Sequence, residues 1–236
     1  MDEFLEKFLD TLTTTLTEEM NCKTVFTIPV FGGIEVAESV VVTWGIMLFL
    51  FIGSFILTRN LKTRNVGTVQ VIAESIVDFL TGLVKGFIGE KGNRYVTFLS
   101  TILLFIGIAN ITGLVGVKPP TKDMNVTAAL AVIAIVLIEF AGIRARGVKG
   151  WMKSFFEPVA IMFPINVLEL AIRPLSLCMR LFGNVLGAFV IMELLKVITH
   201  AIIPAAFSLY FDVFDGLIQA YVFVFLTSLY MKEAIE

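Results

Sequence analysis

Charge is scarce in this chain. Asp, Glu, Lys and Arg make up 16% of its 236 residues, against about a quarter in a typical globular domain. A soluble protein of this size could not clothe its surface with so little. Histidine occurs once and cysteine twice, as the widely separated Cys22 and Cys178. That excludes a disulfide framework and the ligand spacing of zinc, copper, haem or iron–sulfur sites. A phosphate-binding glycine string, a nucleophile elbow and a zinc-binding His-Glu-x-x-His run are also missing. No cofactor is therefore expected, and no ATP chemistry on this chain. A net charge of −2 offers nothing to a polyanion, so nucleic acid is not an expected partner. The first twenty residues are acidic and lack a basic region before an apolar core, so a cleaved signal peptide is not expected.

Hydrophobic residues account for 57% of the chain, with 22 Phe among them. Lipid is the solvent this composition suits. A bilayer core about 30 Å thick takes roughly 20 apolar residues of helix. The pattern predicts an all-α membrane protein with about five transmembrane helices, at 36–58, 95–117, 124–143, 174–198 and 205–230, in one membrane domain spanning 1–236. Residues 1–35 form a tail. Pro158 to Pro174 reads as a short re-entrant or tilted segment, and the last two helices pair as a hairpin around the 199–204 turn. Asp123 and Asn125 read as a helix cap, Asn110 as a packing residue and His200 as a solvated surface histidine. Between the first two spans, 65–90 repeats Val69, Ile72, Ile76, Leu80 and Val84 at helical spacing. That is an amphipathic helix on the membrane surface or against a partner, or one covering the protein's own spans.

Lys and Arg concentrate after the first and third spans and before the second, around Arg59, Arg94 and Arg146. Basic loops stay cytoplasmic, which predicts an N-terminus outside and a C-terminus in the cytoplasm. No internal repeat of the secondary-transporter kind is present.

Charged residues inside a span cost several kcal/mol, with estimates from about 2.5 to above 10 for a central Arg. Arg180 lies too deep to reach either surface, and Asn184 follows one turn later on the same face. Gly183 and Gly187 are spaced for close helix approach. In the last helix Asp212, Asp215 and Gln219 share a face. An antiparallel hairpin sets Gln219 near the depth of Arg180, with Glu193 and Asp212 shallower toward the outside. On the other side of Arg180, Glu169 and Arg173 lie near the cytoplasmic mouth, with Asn166 before them and Glu139 close to the inner end of span three. Two polar routes from opposite faces meet at one fixed positive charge.

These residues carry a resemblance. PINVLELAIRPLSLCMRLFGN, GLIQAYVFVFLTSLY and PPTKDMNVTAAL resemble subunit a of F-type ATP synthases, over the chain from about Val36 to Tyr230. The resemblance implies a membrane stator beside a rotating c-ring, with b-type peripheral stalk subunits and the rest of the synthase as partners, in a bacterial plasma membrane. It implies that Arg180 is the essential stator arginine facing the ring carboxylate. Asn184, Gln219 and Glu169 match family positions, and the last two helices are long and tilted. Phe189 stands where many relatives have an ionisable residue; Glu193, one turn on, is the substitute, and Asp212 occupies a position that is often His, Glu or Asp. The transported ion is H⁺ or Na⁺. The alternative is a self-contained secondary transporter or channel, for which the sequence holds only half of an ion path.

Overall fold

A computed structural model describes residues 24–29, 34–59, 61–62, 67–115, 117–156, 161, 163–198, 207 and 209–236. Cys22, most of the N-terminal tail, the 199–204 turn and His200 lie outside these residues, as do the side chains of Glu193 and Asp212. Within the expected tail, β1 (Thr24–Ile28) and β2 (Ile34–Ala37) pair antiparallel, with Thr27 opposite Glu35 and Ile28 opposite Ile34. Alternating Thr, Val, Phe and Ile suit a two-stranded ribbon, a feature the helical reading of the chain did not contain.

Among the described residues, five helical segments are long and apolar enough to cross a membrane. Helix α1 (Glu38–Thr58) follows the ribbon directly, with Glu38 in its positively polarised first turn. Its only buried residue is Ile46, while Phe49, Phe51 and Ile56 are exposed. A helix apolar on every side is at home among acyl chains.

Helix α2 (Thr68–Ile88) is the amphipathic segment. Its second half packs on the protein itself: Val84 and Ile88 are buried, and Phe87 meets Tyr221 and Phe225 edge-on. Its first half leaves Val69, Ile72 and Ile76 exposed. The second half thus fits the reading of a helix that covers the protein's own spans.

A 3₁₀ turn at Glu90–Tyr95 leads into α3 (Val96–Ile111). Beyond it, Asp123 caps α4 (Met124–Ser154) by accepting from the Asn125 backbone N–H at 2.8 Å. The same carboxylate accepts from the Ser39 hydroxyl, which ties the start of α1 to the cap. Helix α4 runs past the expected residue 143 and kinks at Gly147, where φ is 74°. Only glycine takes that conformation freely.

Helix α5 runs unbroken over Phe163–Ile198, with Pro174 inside it, where the sequence suggested a break and a new helix. An internal proline costs about 3 kcal/mol in a soluble helix, but membrane helices tolerate it because neighbours re-satisfy the freed backbone. Buried Leu177, Cys178 and Leu181 anchor the turns beyond it. At about 1.5 Å per residue, the 36 residues of α5 exceed a 30 Å hydrocarbon core, which leaves room for the tilt that the resemblance implies. The chain closes with a π-helical turn, Tyr210–Asp215, running into α6 (Gly216–Ile235).

The core lies among α3, α4, α5 and α6, with the end of α2. Leu99, Ile106, Ile138, Leu177, Leu181, Phe223, Val224 and Met231 are among its fully buried side chains. A polar tie joins α3 to α6 across it. Asn110 donates to the Gly216 carbonyl at 2.8 Å and accepts from the Thr121 hydroxyl at 2.8 Å. A Cβ at Gly216 would meet the Asn110 Cβ at 2.8 Å, so glycine is what lets α6 approach α3 this closely.

Candidate functional site: a polar seam between the last two helices

At about 100° per residue, Glu169, Arg173, Arg180 and Asn184 fall within roughly 60° of arc on α5. That stripe lies between two apolar faces. Leu177, Cys178 and Leu181 point into the core, whereas Leu168, Ile172, Leu175 and Met179 are exposed. Arg180 stands on this border, partly exposed, and among the described residues it makes no hydrogen bond or ion pair. The one carboxylate in the stripe, Glu169, lies eleven residues away, about three helical turns, and pairs with Arg173.

Asn184 donates its side-chain amide to Gln219 Oε1 at 2.5 Å. That bond brings Gln219 within one helical turn of the level of Arg180, as the antiparallel pairing requires. Gln219 is 3% exposed, and its Nε2 is buried with no partner among the described residues. A buried orphan donor is costly, by about 1–3 kcal/mol, and such groups mark places where water or a ligand acts.

At the other end of the stripe, Arg173 Nη2 bridges Glu169 at 2.9 Å and Glu233 at 3.0 Å. The Arg173 guanidinium also lies over the Tyr230 ring, 4.9 Å from its centroid. A polar cavity of about 240 Å³ opens here, lined by Glu139, Trp151, Asn166, Glu169, Arg173 and Glu233 among others. The Gly147 kink turns the tail of α4 so that Trp151 Nε1 donates to Glu139 at 2.7 Å, and Asn166 donates to the Phe155 carbonyl at 2.9 Å. These two bonds build the cavity wall.

Of the residues singled out from sequence, Arg180, Asn184 and Gln219 come together. Glu169 and Arg173 share the basic end, eleven and seven residues before Arg180. Asp215, half-buried, lies in the π-helical turn with Asp212. Phe189 carries the Lys122 ammonium over its ring, 3.5 Å from the centroid. Glu233 was missed, because a charged residue in the terminal MKEAIE reads as solvated tail. Its signal was present: it lies fourteen residues after Gln219, close to four turns, and so nearly on the same face.

The family model described as ATP synthase A chain matches residues 40–232. The chain belongs to the ATP synthase subunit a family. It is 38% identical over 206 residues to ATP synthase subunit a of Moorella thermoacetica, covering 87% of this chain and 94% of that one. It is 35% identical to the subunit a of Albidiferax ferrireducens, over 86% and 88% of the two chains. Against the "ATP synthase subunit a, sodium ion specific" of Propionigenium modestum it is 34% identical, over 86% and 75%. As a subunit a of the F type, the chain is a multi-span integral membrane protein of the synthase's membrane sector, working in ion transport and ATP synthesis within a complex of other subunits.

Proposed function

We propose that Arg180 is the fixed charge that couples ion flow to rotation of a c-ring. Two half-channels, one from each membrane face, end near it without joining. The outer one uses Glu193, Asp212 and Asp215; the inner one uses Glu169 beside Arg173; Asn184 and Gln219 flank the arginine. A guanidinium stays charged at any working pH, whereas a desolvated Lys would lose its proton. When a protonated or sodium-loaded ring carboxylate approaches, that charge favours the bare anion, and the ion leaves by one half-channel. Past the arginine, the carboxylate reloads from the other half-channel and returns to lipid neutral. A membrane potential supplies about 2.3 kcal/mol per charge per 100 mV, so several ions must pass for each ATP made.

One observation carries this reading. Arg180 is unpaired among the described residues and borders the exposed apolar face of Leu168, Ile172, Leu175 and Met179. An arginine meant only for packing would be neutralised within its own chain. The orphan Nε2 of Gln219 supports it further, as a donor kept for a passing carboxylate or water. The basic residues that follow α1, precede α3 and cover the tail of α4 argue for a cytoplasmic C-terminus; the membrane is a bacterial plasma membrane, with b-type stalk subunits completing the stator. Protons or sodium ions serve this chemistry equally.

The test is ATP synthesis by the reconstituted synthase under an imposed ion gradient. Arg180→Ala should abolish it while the complex still assembles. Normal coupled synthesis by that variant would overturn the mechanism. A self-contained transporter would instead move ions when reconstituted without the ring.

A further inference from the structure

The cavity at the basic end of α4, α5 and α6 holds more than the inner half-channel assigned above needs. Three carboxylates line it, Glu139, Glu169 and Glu233, against two guanidinia, Arg146 and Arg173. Among the described lining residues one negative charge is left over. Glu139 is occupied by the Trp151 indole. Glu169 and Glu233 share a single nitrogen of Arg173, so their bonded oxygens stand within about 6 Å of each other. The Glu233 side chain is 62% exposed and that of Glu169 49%, with the Arg173 guanidinium, 14% exposed, between them. Glu233 therefore meets bulk water, and the guanidinium holds it facing the inner carboxylate. A second guanidinium fixes its backbone, since Arg146 Nη2 donates to the Glu233 carbonyl at 2.7 Å.

We propose that Glu233 is the mouth carboxylate of the inner half-channel, with Arg173 as the positioning residue that sets it opposite Glu169. The cation takes up the leftover charge at Glu233 and crosses to Glu169 through the cavity water. The mouth thus lies inside this chain, between α4, α5 and α6, rather than only against the rotor. The charged groups that share this cavity with Glu233 are Arg173 and Glu169 from α5 and Arg146 and Glu139 from α4. This inference rests on the proposed role of Arg180 and can fail without it.

The experiment uses the whole synthase in vesicles, with ion activity stepped only on the side of the basic helix ends. Glu233→Gln should slow ATP synthesis roughly tenfold, less than the loss of a sole acid–base group because water and Glu169 remain. It should also move the dependence on that side's ion activity while leaving the opposite side's unchanged, and Glu233→Asp should restore both. In a Cys22→Ser, Cys178→Ser background, Glu233→Cys should let a membrane-impermeant charged thiol reagent stop ion flow in complexes already assembled. Wild-type dependence in Glu233→Gln, or full ion flow after complete modification of the cysteine, would overturn the proposal. Arg180→Ala, run in parallel, separates the two claims: coupled synthesis in that variant would overturn the coupling mechanism whatever Glu233 does.

Discussion

Asn184 and Gln219 are joined by one hydrogen bond, 2.5 Å long, between the helix that carries Arg180 and the helix that ends the chain. The bond fixes the hairpin's register at the level where the fixed charge stands. A side-chain hydrogen bond contributes about 1 kcal/mol, close to a fivefold effect. Gln219→Leu and Asn184→Leu should each lower ATP synthesis about fivefold per assembled complex, and the double variant should be no worse than the poorer single. Multiplying losses in the double variant would show that the two amides act separately.

Asn110 and Gly216 govern stability instead. Asn110→Leu removes two buried bonds and leaves the Thr121 hydroxyl without its acceptor, at roughly 1–3 kcal/mol. Gly216→Ala puts a methyl group where only 2.8 Å is free, an overpacking cost of about 1–3 kcal/mol. Both should lower the thermal midpoint of the purified complex. An unchanged midpoint would mean that α3 and α6 are not this close.

The Gly147 kink builds the wall of the inner cavity, and alanine at φ 74° is strained. Gly147→Ala should cost about 1–3 kcal/mol and straighten α4, separating Trp151 from Glu139. Intrinsic fluorescence of Trp151, read in a Trp44→Phe background, should shift on that substitution and on Glu139→Gln alike. No shift in either would contradict the indole–carboxylate bond.

Orientation follows from the basic ends. Lys149→Cys, exposed on the tail of α4, should react with an impermeant thiol reagent only from the cytoplasm, and Val117→Cys, exposed at the opposite end of α3, only from outside. The reverse pattern would invert the assignment of inner and outer half-channels.

Most of the fold was legible because lipid leaves so few options. Each spanning helix announces itself by length and apolarity, and each ionisable residue inside one stands out against its neighbours. Arg180, Asn184 and Gln219 were readable for that reason. What sequence hid were matters of backbone detail and of charge near the surface. Pro174 reads as a break, yet α5 continues through it because buried Leu177, Cys178 and Leu181 hold the following turns. The π-helical turn at Tyr210–Asp215 has no residue signature, and the Gly147 kink looks like any glycine in a helix. Glu233 was lost among charges at a terminus, where its partner Arg173 lies sixty residues away.

Proximity of position 180 to the rotor is the measurement that tests the central claim most directly. With Cys178 and Cys22 replaced by Ser, an Arg180→Cys substitution can be paired with a cysteine at the ring's ion-binding carboxylate and oxidised in native membranes. The expected result is a cross-link between this chain and a single ring subunit, in higher yield than from Leu175→Cys on the same exposed face. No cross-link from position 180, with ready cross-linking from elsewhere on α5, would contradict it.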